Sequence, residues 1–456
     1  MQHKLFIIFL IISYNTYSQF GPQQIITESA NGTQIIDVAD LDGDGYIDIL
    51  SANKFGSNLT WYKNLDGHGT YGPENVIAIL DQTTWISSAD LDNDGDIDVL
   101  AVSGPQNRVA WYENLDGLGT FSTLKNINGG AIGIDCVIAA DLDGDGDLDA
   151  LSAADLSNTV AWYENTNGQG DFSNSKIIDN TIGSPRFVMT ADMDMDGDLD
   201  VLGNASSPLR AYWIENMDGQ GTFGTRHTIN DTGAYLNVVF AADVDNDGDM
   251  DILSASPGDN EVAWYENMDG LGNFGPKNSI TNTLENAWTV YAADLDNDGD
   301  IDVLATLVQT FGGEVVWFEN LDGLGSFSTK KIISTEVQSP RSVIAADIDN
   351  DGDMDVISSS QNDDKIAWYE NLTIIGIKEN QLDSIKIYPN PTKGLVFINP
   401  RTETIVSATI FDVLGKKVLQ QNRNIQELNI SSLQSGMYFL RVTTDSGELV
   451  KKIIKE

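Results

Sequence analysis

Residues 19–372 are built from short apolar runs divided by turn residues, and the runs recur in one order. In the third copy they are "CVIAAD", "DALSA", "TVAWYEN" and, after "TNGQGD", "FSNSKIID". Runs of this length, bounded by Gly, Asn and Asp, read as β-strands and exclude a helical repeat. Between the first and second runs lies a polar segment, "DLDGDGDLD" in this copy, with five aspartates in nine residues. It begins at Asp40, Asp90, Asp141, Asp192, Asp243, Asp294 and Asp347, at intervals of 50, 51, 51, 51, 51 and 53 residues. A fixed period of this size marks a repeat architecture, and four strands per period predict one propeller blade.

The ends of the array predict a closed ring. The chain enters with "FGPQQIIT", which matches the fourth run of later copies such as "FGPKNSIT" at 274–281, whereas the last copy stops after its third run, "KIAWYEN". The N-terminal run is expected to complete the last blade, giving seven blades and no free sheet edge. A second repeated segment, "ENLDGLGTF" at Glu113–Phe121, has an Asp-Gly turn between strands. The tryptophans that recur once per copy, among them Trp111, Trp162, Trp264 and Trp368, are expected to pack blade on blade.

Charge narrows the partners. The chain carries a formal -44, and residues 19–372 alone hold 13 basic against 61 acidic residues. Such a surface repels nucleic acid and anionic lipid, so neither is expected as a partner. The first eighteen residues have one lysine, an apolar run from Leu5 to Ile12, then the small Thr16 and Ser18. They read as a secretory signal peptide, 1–18, too short in its apolar part to span a membrane. No other run suggests a transmembrane segment. Cys136 is the only cysteine, so no intrachain disulfide forms, and its apolar setting points to a buried inert thiol.

Within each polar segment the spacing is D-x-D-x-D-G-x-x-D. Clustered carboxylates repel until a divalent cation sits among them. Calcium takes six to eight oxygens, which a short loop supplies from alternating positions. Magnesium, with stricter geometry, suits such a loop less. Positions 1, 3, 5 and 9 are Asp in every copy, and position 6 is Gly, as a sharp turn requires. Position 7 is Asp in six copies but Tyr46 in the first, so it is expected to contribute its backbone carbonyl. An EF-hand is excluded, because position 12 is Ser152 or Ala101 rather than Glu and strands follow.

The candidate ligands of about seven structural Ca2+ ions, one per loop, follow in chain order. They are Asp40, Asp42, Asp44, Tyr46 and Asp48; Asp90, Asp92, Asp94, Asp96 and Asp98; Asp141, Asp143, Asp145, Asp147 and Asp149; Asp192, Asp194, Asp196, Asp198 and Asp200. The later copies supply Asp243, Asp245, Asp247, Asp249 and Asp251; Asp294, Asp296, Asp298, Asp300 and Asp302; and Asp347, Asp349, Asp351, Asp353 and Asp355.

The "ADLDGDGDLD" loops with their "FG" opening resemble FG-GAP/VCBS repeats, the calcium-binding blades of integrin-α-type propellers, over residues 19–372. The resemblance implies an all-β fold in which each loop joins the first and second strands of a blade. Integrins carry fewer intact loops, so their biology is not carried over. After Asn371 the pattern changes: "IKIYPNP", "GLVFIN", "VSATIFDVLGKKVLQ" and "IQELNISSLQSGMYFLRVTT" predict a small β-sandwich of about seven strands. "YPNPTKG", "FDVLGKKV", "LQSGMYFLRV" and "KKIIKE" resemble the type IX secretion C-terminal sorting domain of Bacteroidota proteins. That resemblance implies contact with the type IX machinery, passage through the outer membrane, and surface attachment or release. The expected division is signal peptide 1–18, propeller 19–372, linker 373–382 and sorting domain 383–456.

Two function classes stand against each other. One is a monomeric binding module, adhesive or lectin-like, for a glycan or an extracellular protein. The other is an extracellular polysaccharide-degrading lyase or hydrolase. Beyond the signal peptide the only histidines are His68 and His227, and no nucleophile motif, zinc cluster or isolated acid pair stands out. Carboxylates on a cation make poor bases. No catalytic residue is therefore assigned. The segments before the first strand and between the second and third vary among copies, and in a propeller they emerge opposite the aspartate loops. They offer Trp85, Arg186, Tyr235, Trp288 and Arg341, then Arg108, Arg210 and Phe311, as candidate ligand anchors.

Overall fold

The computed structural model describes residues 19–104, 106–127, 130–207, 209–230, 235–309, 312–373, 385–400, 405–412, 417–421, 426–444 and 448–455. The expected signal peptide, nearly all of the expected linker, and Phe311 lie outside these residues. Every element among the described residues is a β-strand. The chain divides into two compact units, Met1–Thr373 and Ile374–Glu456.

In the first unit, seven four-stranded antiparallel sheets follow one another as blades. The first blade pairs Thr33–Ala39, Asp48–Asn53, Asn58–Tyr62 and Asn75–Ile79 in sequence order. The seventh takes Pro340–Ala346, Asp355–Ser360 and Lys365–Tyr369 from the end of the array and Gln24–Thr27 from its start. Gln24 pairs with Trp368 and Ile25 with Ala367, so the N-terminal run closes the ring as its sequence predicts. Phe20 sets its ring edge-on to Trp317 of the sixth blade at 6.0 Å, as Phe172 of the third blade does to Trp111 of the second.

First strands line the axis: each touches the first strands of both neighbouring blades, including the first against the seventh. The second strands are buried throughout because their alternate residues face two neighbouring blades. The third-strand tryptophans lie between blades. Trp111, for example, sits beneath Gly170 of the next blade, where a Cβ would come within 2.0 Å of the indole. Gly170 has φ +73°, a conformation open to glycine, so this turn needs glycine for both space and backbone.

The second unit holds a three-stranded sheet (Ile385–Tyr388, Leu395–Pro400, Glu427–Asn429) and a four-stranded one (Lys417–Gln421, Ile405–Asp412, Gly436–Thr444, Glu448–Lys455). Val396, Ile398 and Leu428 of the first sheet share one core with Ile410, Leu440 and Ile453 of the second, as in a sandwich.

Candidate metal centres and a central cavity

Each aspartate segment joins the first and second strands of its blade, and one hydrogen-bond pattern shapes all seven. The position-1 carboxylate accepts the amide of the position-6 glycine at 2.8–3.1 Å. Position 5 accepts the position-7 amide at 2.9–3.1 Å. Position 9 accepts twice: from the position-2 amide, 3.1 Å for Leu142 to Asp149, and from an asparagine amide sixteen residues on (eighteen in the sixth blade), 2.8 Å for Asn165 to Asp149. These bonds turn the chain through left-handed backbone at position 6 and at position 4, where Asn93, Met195, Asn246, Asn297 and Asn350 have φ of 57–60°.

The result draws carboxylates together. In the first five loops, ligand oxygens from positions 1, 3 and 9 lie within 4.8 Å of one another, as in Asp141, Asp143 and Asp149. Several loop oxygens are buried with no hydrogen-bond partner, among them Oδ1 of Asp42, Asp90, Asp92, Asp143, Asp192, Asp194 and Asp245 in these loops and of Asp347 in the seventh. Burial raises the position-9 carboxyls to a pKa of about 7 in six loops and about 8 for Asp302, and neighbouring carboxylates add to the rise. Spare carboxylate oxygens, no soft donors and a strained charge balance fit a hard cation. The loops can bind metal ions, with positions 1, 3, 5 and 9 as the side chains that would hold them.

Position 7 is placed differently. The carboxylates of Asp96, Asp147, Asp198, Asp249 and Asp300 lie against the glycine turn of their own blade, where a Cβ on Gly168 would come 2.3 Å from Asp147. Asp147 and Asp300 there accept the side-chain amides of Asn93 and Asn246 from the preceding blade, at 2.7 and 3.0 Å. Asp353 departs from this pattern. Both its oxygens are buried without partners, and burial and the carboxylates of Asp351, Asp355 and Asp349 push its pKa up to about 8.

Two contributors escape the aspartate spacing. The asparagine after Glu in "WYEN" donates its side-chain amide to the loop of the preceding blade: Asn165 to the Leu91 carbonyl at 2.8 Å and Asn114 to that of Leu41 at 2.8 Å. Asn64 does the same to Ile348 at 3.0 Å, across the seam between the first and seventh blades. The glutamate itself, Glu113 in the second blade and Glu164 in the third, stands beside the position-3 aspartate. Burial first, then the position-5 aspartate, then this glutamate raise the carboxyl of Asp92 to about 6 and that of Asp143 above its ordinary range.

At the other end of the first strands is a cavity of about 550 Å³ lined by all seven blades. Each first strand runs from this mouth to its aspartate loop, so the two kinds of site occupy opposite faces. Trp85, Arg186, Trp288 and Arg341 line the cavity, with Lys54, Asp37, Asp135, Phe187, Phe240 and Tyr291. The Arg341 guanidinium lies 4.2 Å over the Trp288 ring, and Trp85 meets Phe187 edge-on at 5.4 Å. Arg186 is half exposed, 3.8 Å from Asp135 and 3.6 Å from Asp155, and its Nη1 lies 3.4 Å from the Tyr235 hydroxyl. Tyr235 is not a lining residue and reaches the cavity through Arg186 and through Asn237, to whose Oδ1 its hydroxyl donates at 3.0 Å. Arg108 and Arg210 do not line it, and Arg210 donates to Thr228 instead. Lys54 and Asp135 carry no sequence signal, because strand alternation does not say which side chains of distant repeats meet on a shared axis.

Comparisons with known proteins agree with this architecture. Residues 40–101, 90–152, 141–203, 192–254, 243–305 and 306–358 match the family described as FG-GAP-like repeat, and 386–456 match the secretion system C-terminal sorting domain. The crystal structure of BBS1N in complex with ARL6DN, soaked with lead, is similar over 78% of this chain and 97% of that one, with a TM-score of 0.55 at 12% identity. Its mercury-soaked counterpart gives 0.55 at 10% over the same shares. Both likenesses are of fold alone. The ulvan lyase NLR42 of Nonlabens ulvanivorans is 23% identical over 255 residues, 55% of this chain but 41% of the relative's length.

Proposed function

The chain belongs to the FG-GAP-like repeat family, and on that footing we propose that it is a calcium-bound propeller that holds an extracellular ligand, a glycan or a protein, in its central cavity. Its C-terminal sorting domain marks export by the type IX system of Bacteroidota to the cell surface or the medium. No helix among the described residues is long and apolar enough to cross a membrane.

One observation carries the binding reading. The cavity joins aromatic faces and guanidinium groups at the hub of a rigid ring, and such groups are common anchors for sugars and protein loops. Calcium on the opposite face would hold the loops that fix the first strands. The ions serve the scaffold and would not touch the ligand.

The likeness to an ulvan lyase supports a second reading, in which the same cavity cleaves an acidic polysaccharide. In that reading the cavity's Tyr291, its pKa raised by burial and by the Asp37 carboxylate, would serve as a proton donor and not as the base. The two readings separate in one experiment. The calcium-loaded protein is offered to a glycan array and, in parallel, to soluble polysaccharides with release of unsaturated products followed. Binding without cleavage, weakened about tenfold or more in Arg186→Ala and Trp288→Ala, is the expected result. Product release abolished by these changes would establish the lyase, and unaltered binding in both variants would remove the cavity from consideration.

A further inference from the structure

One of the seven aspartate loops, although its carboxylates gather like the others, has a lysine ammonium among them. In six blades the residue after the third-strand Trp-Tyr, Trp-Ile or Trp-Phe is glutamate: Glu113, Glu164, Glu215, Glu266, Glu319 and Glu370. In the first blade it is Lys63. The substitution reverses charge beside position 3. Four aspartates with a glutamate present five negative charges in the other loops; four aspartates against a lysine leave three here.

The side chain turns into the loop. The Lys63 ammonium forms ion pairs with Asp42 and with Asp44, the latter at 2.9 Å. These are positions 3 and 5 of the first loop. In the second, third and sixth blades the corresponding lysines come from the fourth strand. Lys125, Lys176 and Lys331 pair with the glutamate and stack on a tryptophan, 3.9–4.2 Å from the ring centre. Those lysines answer the glutamate; Lys63 answers the aspartates. The same loop carries the one position-7 exception, Tyr46, whose ring lies where a Cβ on Gly67 would come within 2.3 Å.

We propose that the first loop takes no divalent ion, that the Lys63 ammonium is its built-in cation, and that the ring therefore holds six calcium ions. This rests on the calcium reading of the other loops. The ammonium occupies one oxygen each of Asp42 and Asp44, leaving Oδ1 of Asp42 unpartnered, and a +2 ion brought beside it would face its charge directly. The first blade would then keep its loop closed whether or not calcium is present. It lies at the seam where the ring closes.

The test counts ions in the purified full chain after equilibration in calcium and removal of free metal, by elemental analysis against protein concentration. The expected count is six for the native chain, six for Asp42→Asn, five for Asp92→Asn and seven for Lys63→Glu. Amide exchange on the native chain provides a reading that needs no variant. Calcium is expected to slow exchange across 141–149 at least tenfold while leaving 40–48 unchanged. A native count of seven that falls to six in Asp42→Asn, or calcium protection of 40–48 equal to that of 141–149, would overturn the proposal. Absence of calcium from every variant would overturn the calcium reading itself, and this inference with it.

Discussion

At the scale of single residues, the side chains that organise the loops are not all ligands. Asn165 is buried and spends its amide proton on Asp149, its side-chain amide on Leu91 of the preceding blade, and its Oδ1 on the Gly170 amide at 3.0 Å. Asn165→Ala leaves the Leu91 carbonyl and the Gly170 amide without these partners, so a loss of about 2–4 kcal/mol is expected in a urea melt, with no change in ligand chemistry. Met195 offers the opposite opportunity. It adopts φ 60° at position 4, where four of the other loops place Asn and two place Gly. Met195→Asn is expected to stabilise by about 0.5–1 kcal/mol, read as a small rise in melting temperature. The aspartate register was legible in the sequence because seven copies repeat it without exception at four positions. Asn165 was not, since an asparagine beside a glycine turn reads as turn chemistry until the preceding blade is in place. Lys63 was visible as a break in "WYEN" but had no meaning before the structure put its ammonium against Asp42 and Asp44.

At the scale of the loop and its strands, burial sets a pH dependence that the cation should reverse. The position-9 carboxyls rise from 3.8 to about 7 on folding without metal. Between those values the folded chain holds more protons than the unfolded one, so metal-free stability is fullest below about pH 4 and is lost as pH rises through about 7. In chelator, the melting temperature is therefore expected to fall from pH 5 to pH 8. In saturating calcium it is expected to rise or hold, because the ion binds the carboxylates that protons would otherwise occupy. A chelated protein with a flat profile over this range would contradict the burial of these groups. The strands themselves were readable from turn residues and alternation, as was the N-terminal run that completes the seventh blade. The cavity was readable only in part. Trp85, Arg186, Trp288 and Arg341, expected in the segments before the first strands, lie at the start of those strands and converge on the axis, whereas Arg108 and Arg210 begin third strands and do not.

At the scale of the whole molecule, two devices oppose the self-repulsion of the propeller, which carries 13 basic against 61 acidic residues. One is the antiparallel pairing of Gln24–Thr27 with Lys365–Tyr369, which ties the first segment of the array to its last. The other is the set of metal loops. A ligand that binds the folded state alone stabilises it by about 1.4 kcal/mol per site at ten times its dissociation constant, or about 8 kcal/mol across six sites. On the proposed calcium reading, with dissociation constants of about 0.1–1 mM as is typical of extracellular calcium modules, the sites would fill outside the cell and empty in chelator. A steep calcium-dependent rise in melting temperature is thus expected, with magnesium a weak substitute. The two devices should also depend on each other. Without residues 19–27 the third strand of the last blade, Lys365–Tyr369, becomes an exposed edge. Calcium bound within single blades cannot replace the lost pairing across the seam. The shortened chain is expected to melt well below the full one even in saturating calcium, and to associate through the free edge on size-exclusion chromatography. Equal melting of the two chains in calcium would show that the ions and first-strand contacts close the ring unaided, and would reduce the N-terminal strand to an accessory.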